Sequence, residues 1–370
     1  MLRWYRDMIA QVDSVMLSGR FVDDGLVVEE LVAYAPGSQL AQAVASYQQT
    51  QGGLLDRLPD MPYVLAFGSR GKSGPTADNE MLSAYLDAMS QSLPPDTLTE
   101  ADKTEILRIG NGLNEQVTAV QFVAGGAPQA GGVFSCGAVM TCKSAGTTSG
   151  LLRDGFRFAE QFVKAVAPPG EAEDFQVKYA AGAETVGGIA VDIIEFTDPG
   201  VAEMPDDEKQ QMTTVLGESK IQLRMASPDE RTLVVTFGGA DAFMEEALKL
   251  AAGGGAIPDQ VGTQKAMKYL PADASGVALL NLQNFGTVFQ QGAQKLGMAQ
   301  MMPPLNFTAE TPIAMGASVA GESSIHAVLF VPTEVVQDFT QMWMMFTMGP
   351  GGPGGGPGPG PGPMEGGEDF

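Results

Sequence analysis

One histidine, His326, and two cysteines, Cys136 and Cys142, are all the imidazole and thiol chemistry in 370 residues. Three such groups fall short of the four ligands that a closed zinc site uses. A serine triad would have to use His326, with Ser323 or Ser324 beside it. Those serines are sequence neighbours on one strand, which does not aim a hydroxyl at the ring, and no GxSxG elbow occurs. The cysteines lie six residues apart in an expected strand, about 20 Å at 3.3 Å per residue. A disulfide needs Cα atoms within about 7 Å, so the pair reads as two half-buried thiols.

Positive charge is scarce as well. Lys and Arg number 21 against 44 Asp and Glu, a formal net charge of −23. Such a surface repels phosphate backbones and anionic headgroups, which argues against nucleic acid as a partner. No transmembrane segment is expected. The longest uncharged stretch, Gln116 to Cys142, has GGAPQAGG at its centre and reads as a hairpin. The N-terminus MLRWYRDMIAQVD is not a signal peptide, because Asp7 interrupts the apolar region and no small-residue cleavage site follows.

What remains is ordinary globular material, 44% hydrophobic, ending in GPGGPGGGPGPGPGP at 349–363. That run does not keep the glycine period of collagen and has no side chains to bury. Residues 349–370 therefore read as a disordered acidic tail. The body repeats a theme in which two β-rich runs precede a helix. It occurs at 15–47, 117–166, 220–252 and 312–346, with expected helix caps at Ser38, Ser149, Asp241 and Thr333. In the last helix Val336, Phe339, Trp343 and Phe346 are expected to face inward. Residues 174–197 add a strand pair. Leu58-Pro59 and Leu270-Pro271 each open a single strand followed by a helix, near 79–91 and 284–297.

Hairpins feeding helices predict an α+β fold, with antiparallel sheets, helices packed on one face and two related lobes. The expected division is 1–168, 169–348 and the tail. The first lobe enters the β-α, β-β-α cycle partway, so the chain reads as a fragment whose missing start would carry the signal sequence. The Leu-Pro-x-Asp opening, the hairpin-helix units and the Gly/Pro-rich acidic tail resemble a group of uncharacterised exported bacterial proteins. That resemblance implies an extracytoplasmic location in the periplasm or cell envelope, and it transfers no catalytic residue.

The sharpest local motif is Ala66 to Ser73, AFGSRGKS, a phosphate loop with Ala in place of the first Gly. Gly71, Lys72 and Ser73 would hold the phosphates and a Mg²⁺ ion, with Asp192 as an acidic partner. Gly74-Pro75 interrupts the helix that should follow. Asp206, Asp207 and Glu208 form the densest acidic cluster, where first-turn carboxylates complement a helix dipole. Met298, Met301 and Met302, and then Met342, Met344, Met345 and Met348, are the methionine clusters. Met342, Trp343 and Met345 are the candidates for an apolar groove. The sequence therefore points to a non-enzymatic binding or scaffolding protein of the bacterial cell envelope. It takes an unknown protein or apolar ligand and needs no cofactor. A nucleotide hydrolase using 66–73 and a carboxylate-based hydrolase are the alternatives.

Overall fold

The structure is a computed structural model, and it describes residues 6, 9–46, 53–71, 77–91, 93, 97–126, 132–167, 175–197, 205–255, 257–299 and 305–348. The Gly/Pro tail, Lys72 and Ser73 lie outside the described residues, as do Met301 and Met302.

The chain is α+β. Its strands are β1 (Val12–Val22), β2 (Gly25–Tyr34), β3 (Tyr63–Arg70), β4 (Val117–Gly125), β5 (Ser135–Cys142) and β6 (Gln176–Val186). They continue as β7 (Ile189–Thr197), β8 (Ile221–Asp229), β9 (Thr232–Phe237), β10 (Gly276–Leu280), β11 (Ile313–Val319) and β12 (Ser324–Pro332). The described helices are α1 (Gln39–Ser46), α2 (Ala77–Ser90), α3 (Glu100–Gln116), α4 (Ala145–Val166) and α5 (Asp206–Leu216). After them come α6 (Ala240–Ala251), α7 (Val261–Met267), α8 (Leu282–Lys295) and α9 (Thr333–Met348).

All twelve strands join one sheet in the order β1-β2-β12-β11-β10-β3-β4-β5-β9-β8-β7-β6. Every pairing is antiparallel. Asp23-Asp24 closes the β1–β2 hairpin as its Asp-Asp-Gly signal predicts, and Gly187-Gly188 closes β6–β7. Strands from before and after residue 168 share this sheet, since β3 pairs with β10 and β5 with β9.

Successive residues of a strand point to opposite faces, so one row of partners fixes a face across the sheet. On the lower face, Val27, Phe330, Ala314, Leu279, Ala66 and Val123 lie side by side across β2-β12-β11-β10-β3-β4. All six are 0% exposed. Leu54, Leu55, Leu58, Ile257, Ala266 and Leu270 cover them, drawn from the segments before β3 and β10. The two Leu-Pro leucines are thus lids over the central core.

At β9 and β8, both faces are covered. Val234 of β9 packs on the lower side with Met244, Ala247 and Leu248 of α6. Its neighbour Val235 packs on the upper side with Leu152 and Phe156 of α4. The expected antiparallel α+β architecture therefore carries one addition, helix cover on both sides of β8 and β9.

Local signals agree with expectation at the start of α1 and differ at the starts of α4, α6 and α3. Ser38 caps α1, its hydroxyl accepting from the Ala41 N–H at 3.1 Å. Ser144, not Ser149, caps α4, accepting from the Thr147 N–H at 3.3 Å. Asp241 sits in the first turn of α6, and the residue before that helix is Gly239 with φ 73°. The helix α3 was not foreseen, although Thr99 and Asp102 form a reciprocal capping box at its start.

Candidate functional site

Residues Ala66–Arg70 of the phosphate-loop motif belong to β3, an extended strand held between β4 and β10. A phosphate cradle needs successive N–H groups curled toward one point. Here the backbone is committed to two ladders. The Arg70 N–H donates to the Ser275 carbonyl at 2.8 Å, and the Gly71 N–H donates to the Thr118 carbonyl at 3.3 Å. Gly68 is required for packing, because a Cβ there would lie 1.8 Å from the Leu54 carbonyl oxygen. The buried Gln121 amide donates to the Gly53 carbonyl at 2.8 Å, and its oxygen accepts from the Arg57 N–H at 2.9 Å. Arg70 donates to the same Gly53 carbonyl at 2.8 Å. These groups anchor the segment that roofs the core. Asp192 sits on β7, with β4, β5, β9 and β8 between it and β3. It accepts from the Tyr179 hydroxyl at 2.6 Å and the Gly182 N–H at 2.8 Å.

The other candidates are equally separate. His326 lies between Ser318 and Leu31 in the sheet, with Nε2 3.7 Å from Glu29 Oε2. Asp206, Asp207 and Glu208 occupy the first turn of α5, where they complement its dipole. Cys136 is half-buried and Cys142 buried, both unpaired. Burial pushes the Cys136 thiol up to about 11, which keeps it protonated at neutral pH. Among the described residues, no group of three His, Cys, Asp or Glu side chains is placed to hold a metal ion.

A buried ionic cluster does exist, on the lower face near β8. Arg224 donates to Glu218 at 2.7 Å and to Glu184 at 3.1 Å, and Asp241 lies 3.4 Å away. Gln222 also donates to Glu218 at 2.9 Å. The arginine and Glu218 side chains are 5% and 8% exposed.

The upper face tells a different story. Val28, Leu329, Met315, Ala278, Phe67 and Phe122 form the row directly adjacent to the fully buried lower row. None is charged, yet Met315 is 52% exposed, Phe67 37% and Leu329 36%. Leu65 and Leu280 face each other one step along and are also exposed. At its β11–β12 end this face runs into a cleft of about 510 Å³. Ile313 and Val331 line one side of it. Val335, Val336, Phe339, Thr340 and Trp343 of α9 line the other.

Of the three groove candidates, Trp343 lines this cleft, while the side chains of Met342 and Met345 lie outside the described residues. The inward stripe expected for α9 is corrected. Val336 is 49% exposed, Phe339 46% and Trp343 70%, so these three border an open cleft, while the side chain of Phe346 lies outside the described residues. Phe339 meets Phe307 edge to face, with centroids 6.0 Å apart, which fixes the wall of the cleft. The upper row escaped the sequence reading because strand periodicity shows that both faces are apolar but not which one is roofed. One signal was present. The roofed face of β11 uses Ala314, Gly316 and Ser318, whereas the open face uses Ile313 and Met315. No family model matches the chain, and neither a curated protein nor a solved structure matches it.

Proposed function

We propose that this chain is a non-enzymatic binding protein of the bacterial cell envelope that takes a hydrocarbon chain into the α9 cleft. One observation carries the reading: an uncharged row of side chains crosses the upper face and opens into an apolar cleft of about 510 Å³. Pockets of a few hundred cubic ångströms with apolar walls and a single hydroxyl suit such ligands. Thr340 supplies that hydroxyl, and it donates to the Val336 carbonyl at 2.7 Å. Among the described residues, the cleft walls carry no basic residue to fix an anionic head, and the chain bears −23 overall. A neutral or cationic head group is therefore favoured over a phosphate or carboxylate. The envelope location rests on the resemblance drawn from the Leu-Pro openings and the tail.

The test is a pair of thermal-shift titrations on the full chain. Dodecyl maltoside below its micelle concentration should raise the melting temperature, and Phe339→Glu should abolish the rise. ATP with Mg²⁺ should leave it unchanged. A rise with ATP that disappears in Lys72→Ala would overturn the proposal in favour of a nucleotide site.

A further inference from the structure

The two edges of the sheet are built differently. At the β6 edge, the strand is interrupted by a register shift between Ala180 and Glu184. Gly182 there has φ 55°. Two of its N–H groups are already occupied by carboxylates, Val177 by Glu160 at 3.1 Å and Gly182 by Asp192 at 2.8 Å. Bulges, charges and satisfied donors are the devices that stop an edge from pairing.

The β1 edge has its register shift only at Val12/Ser14, and the single charge along the rest of the strand, Arg20, is paired with Glu29 of β2 at 3.1 Å. From Ser14 to Val22 its pairing with β2 is regular. Val15 is 56% exposed, Met16 65%, Leu17 69% and Phe21 90%. Among the described residues, no other strand lies along its outer side. The two-residue turn makes Val22 and Gly25 a hydrogen-bonded pair, and the alternation from there points the N–H and C=O groups of Val15, Leu17, Gly19 and Phe21 outward. Only another extended strand satisfies a row of outward donors and acceptors at that spacing. The far end of the hairpin is held firmly, since Asp24 accepts from Lys268 and, at 2.6 Å, from the Tyr269 hydroxyl.

We propose that the occupant is β1 of a second copy of this chain, paired antiparallel about a two-fold axis at Leu17. An antiparallel self-pair must match residues of the same face, which allows only registers that pair odd with odd. Centring on Leu17 aligns the whole strand, Val12 to Val22, with its counterpart. Leu17 then faces its own counterpart, Val15 faces Gly19 and Ser14 faces Arg20. The charge argues for the same occupant. Arg20 is neutralised by Glu29, so Ser14 to Val22 carries no unpaired charge, and this strip is where two copies of a −23 chain can approach at least cost. The upper faces of the two sheets become continuous, because Phe21 faces Leu26 and Leu26 faces Val331 of the cleft.

Sedimentation equilibrium of the full chain should give twice the 38.7 kDa chain mass, and Leu17→Lys should return the monomer with an unchanged circular dichroism spectrum. As a measurement independent of folding yield, Leu17→Cys should form an intermolecular disulfide between the two introduced thiols on mild oxidation. Lys178→Cys on the opposite edge should not. A monomer at every concentration would overturn the proposal. So would a dimer that persists in Leu17→Lys, or one whose Leu17→Cys form fails to cross-link while the Lys178→Cys form does.

Discussion

The hydroxyl of Tyr63 lies 2.7 Å from Oγ1 of Thr263, across a sequence separation of 200 residues. Both residues are 1% exposed, and the bond ties β3 to α7, which helps to roof the lower face. Tyr63→Phe leaves a buried threonine hydroxyl without its partner and should cost about 1–3 kcal/mol in urea denaturation. Adding Thr263→Val should recover much of that loss, because the apolar pair leaves no orphaned group. Additive losses in the double variant would show that the two hydroxyls do not act as a pair.

The same tyrosine sets an alkaline limit. Burial pushes its phenol from the ordinary 10.0 up to about 12, with the Thr263 bond working slightly the other way. The folded state holds this proton where the unfolded chain has released it. Stability from Tyr63 is therefore full below pH 10 and falls as pH rises toward 12. Melting temperatures measured across that window should fall more steeply for the wild type than for Tyr63→Phe.

Arg224 makes a test of the ionic cluster. Removing it strands the Glu218 carboxylate, whose side chain is only 8% exposed, and leaves it the Gln222 amide donating at 2.9 Å. Arg224→Met should destabilise the protein by about 3–5 kcal/mol, the range for breaking a buried pair from one side. Adding Glu218→Gln to Arg224→Met should restore part of the loss, and an unrelieved double variant would contradict the pairing.

Gly68→Ala separates packing from ligand binding within the phosphate-loop motif. The new methyl would sit 1.8 Å from the Leu54 carbonyl, so the roofing segment must move. The expected loss is about 1–3 kcal/mol of stability, as for other overpacked cores. A fully stable Gly68→Ala would mean that the glycine is there for another reason.

Much of the fold could be read from residue order. Asp-Asp-Gly, Gly-Gly and the alternating apolar runs specify hairpins through local backbone geometry, and those hairpins form. Strand order could not be read, because the pairings of β3 with β10 and of β2 with β12 join residues more than 200 apart. Helix starts misread at Ser149 and Asp241 show local capping residues outcompeted by neighbours, Ser144 in one case and a left-handed Gly239 in the other. Trp343 stood out in the sequence by its aromatic and methionine neighbours, but its 70% exposure did not, since helical spacing alone suggests an inward stripe. Phe67, Met315 and Leu329 were not legible, since an apolar strand residue looks the same whether its face is roofed or open.

Trp343 offers the most direct measurement of the proposed binding. In a Trp4→Phe background it is the sole indole of the chain, so its emission reports on the cleft alone. Titration with dodecyl maltoside below its micelle concentration should shift that emission to shorter wavelength and saturate at one equivalent, with the response lost in Phe339→Glu. An emission maximum that never moves, or one that moves without saturating and equally in Phe339→Glu, would contradict an apolar ligand site at α9.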